Sequence, residues 1–254
     1  MITILEKIKS LGTDQVLTLA SGATLIFWGL AMILAKRFVR KRTSEMKQVA
    51  LQLAFSFREA GDGSILHEFS TLPLFSGSQR GFEENLLTRG MDQAFIAVFD
   101  YTTKKTKDLS LNWEEEETNP FRVQTMACFK TNNLFLPPFS LRPETSLDAT
   151  YVEKLENKFG YQPIECRSFP QFAANYRLFG KKADEEKIRG IFLNSGIIIL
   201  CEKEGDLCME AKGESLIVYR HLKRIPPQEM EQFLETAIQV HDILDHSAIY
   251  YQNH

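Results

Sequence analysis

From Val16 to Ala35 the chain carries twenty residues without a charge or a proline. As a helix this run is about 30 Å long, the thickness of a bilayer's hydrocarbon core. It ends abruptly at Lys36-Arg37-Phe38-Val39-Arg40-Lys41-Arg42, five basic residues in seven. The pattern predicts a transmembrane helix over 16–35 and a basic juxtamembrane segment over 36–47. A short extracytoplasmic N-terminus over 1–15 precedes them, with Ile4, Leu5, Ile8 and Leu11 on one helical face. Within the span Thr18, Gly22, Leu25 and Gly29 form a smooth stripe suited to a second helix.

Beyond the basic segment the periods of 3.6 and 2 alternate, predicting an α+β domain over 48–254. Val49, Leu53 and Phe57 extend a helix from Thr43 to Glu59, stopped by Gly61-Asp62-Gly63. Residues 65–75 predict a short helix and a turn. Strands follow at 85–90 and 94–102 around Met91-Asp92-Gln93, with Phe95, Ala97, Phe99 and Tyr101 on one face. A polar loop from Lys104 to Pro120 carries the acidic run Glu114 to Glu117, and a third strand spans 122–130. Leu136 to Glu144 contains three prolines and predicts a stiff extended connection. Helices are expected at 147–159, ended by Gly160, near 169–176, and from Asp184 through Ile188, Ile191 and Phe192. A short strand is expected at 164–166. Ile197 to Leu200 is ambiguous: three consecutive isoleucines favour a strand intrinsically, and a second helix after Asn194-Ser195-Gly196 is the alternative. A hairpin spans 207–211 and 215–221. The last helix opens at Pro226-Pro227 and buries Met230, Phe233, Leu234, Ala237, Val240, His241 and Leu244. The order predicts an antiparallel sheet with helices packed on one face.

Charge refines this picture. The formal net charge of −3 lacks the basic excess of a nucleic-acid binder. Basic residues are instead concentrated beside the span: Lys36, Arg37, Arg40, Lys41, Arg42 and Lys47 follow it, whereas only Lys7 and Lys9 precede it. By the positive-inside rule the large domain is cytoplasmic and the chain is a single-pass protein of the inner (cell) membrane. Lys36, Arg37, Arg40, Lys41 and Arg42 form a membrane-interface cluster facing anionic headgroups. Cys128, Cys166, Cys201 and Cys208 show no metal spacing and read as reduced, buried thiols.

Candidate chemistry is sparse. His241, Asp242, Asp245 and His246 are the best metal candidates, but on a helix their two i, i+4 pairs point about 100° apart. A solvated helix end is the stronger reading, and no cofactor is expected. Asp100 and Tyr101 lie mid-strand, and Arg142 and Glu144 flank Pro143. An Arg142–Glu144 or Arg142–Asp100 pair would pin the proline-rich connection to the sheet. The chain contains no G-x-S-x-G, no H-E-x-x-H and no phosphate-binding loop. No catalytic residue is assigned.

Several short stretches carry a resemblance together: Pro73-Leu74-Phe75, Val98-Phe99-Asp100-Tyr101, Pro137 to Glu144, Phe172-x-x-x-Tyr176-x-Leu178-x-Gly180, Glu185-Glu186-x-Ile188-Arg189-x-x-Phe192 and Ile217-Val218-Tyr219-Arg220. The chain resembles a widespread group of uncharacterised bacterial membrane proteins with one or two N-terminal spans and a cytoplasmic α/β domain. That resemblance implies membrane anchoring and one continuous domain, and transfers no catalytic residues. The expected function is a membrane-anchored cytoplasmic interaction or scaffold module whose partners are the bilayer and another protein. The alternative is a membrane-associated, hydrolase-like enzyme.

Overall fold

A computed structural model describes residues 13–76, 81–91, 94–104, 121–132 and 135–252. The side chains of 13–23, 25, 26, 35, 91, 104, 121 and 248–252 are not among those described. The chain divides into two compact units, 1–46 and 47–254.

The described part of the first unit, residues 13–46, is helical. Helix α1, Thr13–Gln52, begins here and continues into the second unit. Among the described residues, no helix is long and apolar enough to cross a membrane. Much of the expected span, with three residues of its Thr18-Gly22-Leu25-Gly29 stripe, consists of side chains outside that description. The amphipathic start at 1–11 also lies outside it.

The second unit is an α+β domain built on one nine-stranded sheet, and every strand pair is antiparallel. Its strands are β1 (Ser56–Ala60), β2 (Gly81–Met91), β3 (Ala94–Lys104), β4 (Phe121–Thr131), β5 (Leu136–Pro143), β6 (Tyr161–Ile164), β7 (Tyr176–Lys181), β8 (Leu207–Gly213) and β9 (Ser215–Arg220). They lie in the order β1-β2-β3-β4-β9-β8-β5-β7-β6. The helices are α2 (Ser64–Glu68), α3 (Ala149–Phe159), α4 (Pro170–Asn175), α5 (Glu185–Asn194), α6 (Ile197–Glu204) and α7 (Met230–Gln252).

Alternation along the strands divides the core in two. On one face Phe99, Tyr101, Met126, Cys128, Ile217 and Tyr219 pack with Ile65 of α2 and with Phe69, Leu72 and Phe75 beyond it. Helix α3 covers the same face further along, where Tyr151 and Leu155 meet Phe179. On the opposite face Phe129 stacks on His241 of α7, and Phe139 meets Phe192 of α5 edge-on. Helices therefore cover both faces, which corrects the expected single-sided arrangement. The sheet is apolar on both sides because it is a middle layer, as the near-continuous burial of β8 and β9 shows.

Two further expectations change, and one open alternative is resolved. The helix predicted to run to Glu59 stops at Gln52, and 56–60 is the edge strand β1. Ala54 adopts a left-handed conformation (φ +56°), and the Phe55 amide bonds the Ala50 carbonyl, so the stop is made without glycine. The proline-rich stretch is strand β5, seated between β8 and β7, rather than a connection. It is tolerated because neither neighbour pairs with Pro137 or Pro138: the β8 register jumps from Leu136 to Phe139, and β7 pairing starts at Phe139. The run from Ile197 is helix α6, with Ile197, Ile198, Leu200 and Cys201 buried and Ile199 out in solvent. Strand β7 had no counterpart in the sequence pattern, and the short strand expected at 164–166 lies at 161–164.

Candidate functional site

The domain's most concentrated chemistry is a buried cluster around Glu210. Strands β5 and β8 place Ser140 opposite Glu210, and alternation puts Arg142 on the same face. Arg142 is 2% exposed and Glu210 is 0% exposed. Arg142 Nη2 lies 3.6 Å from Glu210 Oε1, close enough for charge attraction but beyond a hydrogen bond. Its guanidinium carbon sits 3.3 Å from the centre of the Tyr151 ring and 5.5 Å from that of Tyr219. The cation is therefore held largely by π faces.

Glu210 carries most of the hydrogen bonding. Its Oε1 accepts from the Tyr151 hydroxyl and, at 3.2 Å, from the Tyr219 hydroxyl. Its Oε2 accepts the Leu74 backbone amide at 2.8 Å. Ser140 Oγ lies 2.9 Å from the Tyr151 hydroxyl. Tyr151 reaches the cluster because Asp148 caps α3 by accepting the Tyr151 amide at 2.7 Å. Burial pushes both phenols well above their ordinary range despite the pull of Arg142, so both stay protonated and donate. Burial opposes the charge on Arg142, but the ring faces of Tyr151 and Tyr219 and the Glu210 carboxylate favour it, and its pKa is raised. Cys208, beside Arg142, is pushed up to about 11 by burial, so its thiol is a poor nucleophile at neutral pH. The cluster suits locking the Pro73-Leu74-Phe75 segment onto the sheet.

A second node surrounds Asp100 on β3. The carboxylate is fully buried and accepts from Asn85 Nδ2 (2.9 Å), Thr125 Oγ1 (2.9 Å) and Arg224 Nε (3.1 Å). Asn85 sits at a β-bulge with φ +51°, a conformation that asparagine tolerates. Thr125 Oγ1 in turn accepts the Ile225 amide at 2.9 Å, so the node fastens the chain after β9 to the opposite sheet face.

These partners correct the expected ones. Arg142 faces Glu210, not Glu144 or Asp100; Glu144 meets Arg177 at 2.9 Å near the surface, and Asp100 meets Arg224. The sequence did not single out Glu210. The available signal was one acid within the apolar run Leu207-Cys208-Met209-Glu210-Ala211.

The metal candidates are engaged otherwise. His241 Nε2 is 3.0 Å from Thr131 Oγ1, its Nδ1 is 3.1 Å from Asp242, and its ring lies on Phe129. His246 Nδ1 lies 2.6 Å from the Asp242 carbonyl. Among the described residues no group of three or more His, Cys, Asp or Glu is arranged to hold a metal ion. Lys36, Arg37, Arg40 and Lys41 lie exposed on α1, with Lys41 3.8 Å from Glu45, and Arg42 is half-buried. The acidic run 114–117 lies outside the described residues.

His221, just after β9, supplies a pH dependence. Burial first, and then Arg142, lower its pKa to about 4 from 6.5. The unfolded chain binds the proton more readily, so this contribution is complete above pH 6.5 and is lost as pH falls toward 4. Between pH 7 and 4 the wild-type domain should lose about 1–3 kcal/mol more than His221→Gln. Parallel denaturant midpoints for the two proteins would show His221 to be uninvolved.

No protein-family model matches this chain, and no curated protein does. Among solved structures, the crystal structure of the mycobacterial trehalose monomycolate transport factor A, TtfA, is similar, with a TM-score of 0.56 at 10% sequence identity. The match covers 81% of this chain and 95% of that one. At this identity the likeness is one of fold.

Proposed function

We propose that the chain is a membrane-anchored accessory or scaffold module. Residues 16–35 hold it in the bilayer, Lys36, Arg37, Arg40, Lys41 and Arg42 meet anionic headgroups, and the sheet domain works on the cytoplasmic side, docking another protein. One observation carries this reading. Along α1 the side chains of Phe27 (72% exposed), Trp28 (66%), Leu30, Met32, Ile33 and Leu34 are all exposed. At 100° per residue these positions point around the whole helix rather than along one stripe. A one-sided groove on a partner would leave part of this surface in water, whereas hydrocarbon covers all of it. The abrupt basic flank supports the orientation. The similar solved structure is that of a transport factor, and an accessory role agrees with that name.

The full chain is expected to sediment with membranes and to resist alkaline carbonate, whereas a chain lacking residues 1–47 is released. A C-terminal reporter active only outside the cytoplasm should stay silent. Full-length protein that is soluble without detergent would overturn the anchor, and an active reporter would overturn the orientation.

A further inference from the structure

Beside the edge of the sheet, between the β1–α2 turn and the start of β2, lies a cavity of about 660 Å³. That volume falls within the usual range for small-molecule sites. Its walls are mainly aromatic and acidic, with the apolar Leu66 and the His67 imidazole beside them. Phe75, Phe82 and Tyr101 provide aromatic surface, with Phe75 and Tyr101 fixed edge-to-face at 5.0 Å. Asp62, Glu83 and Glu84 provide carboxylates, and among the described residues no lysine or arginine lines the cavity.

The walls are held in place. Glu83 is buried directly opposite Tyr101 in the β2–β3 register. Its carboxylate accepts the Leu66 amide at 2.8 Å and the Gly63 amide at 3.3 Å. Each carboxylate oxygen has a second lone pair, so these bonds leave it acceptor capacity. A Cβ at Gly61 would collide with Glu83, and one at Gly81 with the Tyr101 ring, so glycine lets both side chains lie against backbone. Thr102 Oγ1 donates to Glu84 Oε2 at 2.9 Å. Asp62 is already matched by Arg58 at 3.0 Å, which leaves Glu83 and Glu84 as the wall carboxylates without an ion pair among the described residues.

Aromatic faces and carboxylates share one preference: both attract a cation, the rings through their quadrupole and the acids through charge. A carboxylate ligand would meet repulsion, and a neutral one would gain apolar contact and at most a hydrogen bond, without the charge attraction. We infer that this cavity is a binding site for a small organic cation, a primary ammonium carried on a short apolar chain. The ammonium donates to Glu83 while its alkyl part lies against Phe75 and Tyr101.

The test uses the full chain in mild detergent and three isosteric probes, n-butylammonium, butyrate and 1-butanol, titrated by calorimetry. Saturable binding of n-butylammonium is expected, at least about tenfold tighter than either of the others. Glu83→Gln removes the buried charge and Phe82→Arg places a cation on the exposed rim, and each should weaken binding at least about tenfold. Phe82 is 57% exposed, so Phe82→Arg decides the matter alone if Glu83→Gln fails to fold. Equal binding of butyrate or butanol, no saturable binding of n-butylammonium, or binding unchanged in Phe82→Arg would overturn the assignment.

Discussion

Glu210→Ala is expected to be the most damaging single substitution in the domain, with Arg142→Ala next. Removing one member of a buried ion pair costs about 3–5 kcal/mol because the other charge is left without compensation. For Arg142→Ala this corresponds to a fall in melting temperature of about 6–20 °C for a domain of this size. Glu210→Ala does more. It strands the Arg142 cation and also leaves the Tyr151 and Tyr219 hydroxyls and the Leu74 amide without their acceptor. Each orphaned buried donor adds about 1–3 kcal/mol. Because the two residues share one cluster, the double variant should cost less than the sum of the single ones. Near-UV circular dichroism of the full chain in detergent follows the melt. If Glu210→Ala cannot be purified, Arg142→Ala and Glu210→Gln carry the test. An Arg142→Ala protein that melts within about 2 °C of wild type would show that the cluster contributes little.

The cluster also marks where sequence reading stops. Helix α7 was legible because one apolar stripe runs from Met230 to Leu244, and the β8–β9 hairpin because a polar turn separates two apolar runs. Phe95, Ala97, Phe99 and Tyr101 were placed on one face, and they lie there with Phe75 and Leu86. What could not be read was long-range register. Arg142 meets Glu210 because β5 pairs with β8 across an intervening stretch of helices and strands, and no local spacing encodes that neighbour. The proline-rich β5 broke a sound rule without paying its usual cost, since the ladder is already interrupted at Pro137 and Pro138. Strand β1 was hidden by a left-handed alanine where a glycine would have announced the helix stop. The edge cavity was missed for a similar reason. Gly61 and Gly63 were read as punctuation, and their role as backing for Glu83 depends on strand β2 arriving beside them.

At the other polar node, Asp100→Ala is expected to cost about 3–5 kcal/mol, while Arg224→Ala costs about 1–3 kcal/mol. The asymmetry follows from burial and from partner number. Asp100 is wholly buried, and its loss leaves the amide of Asn85, the hydroxyl of Thr125 and the Arg224 guanidinium without their shared acceptor. Arg224 is one-third exposed, so its loss admits water to Asp100, which still accepts from Asn85 and Thr125. The location of the damage should differ too. Thr125 is the hinge of the arrangement: its hydroxyl donates to Asp100 and accepts the Ile225 amide, and its own amide bonds the Lys223 carbonyl at 3.0 Å. Without Asp100 the hydroxyl is free to rotate, and the hold on residues 223–225 weakens. Denaturant unfolding measures the first difference. Hydrogen exchange measures the second, with the Ile225 amide exchanging faster in Asp100→Ala under conditions where the β3–β4 ladder remains protected. If the two variants lose equal stability, or if Ile225 keeps wild-type protection, the node does not fasten this segment. The fold must then hold it through the Thr125 amide on the Lys223 carbonyl, the Leu222 amide on Gln124 and the burial of Ile225.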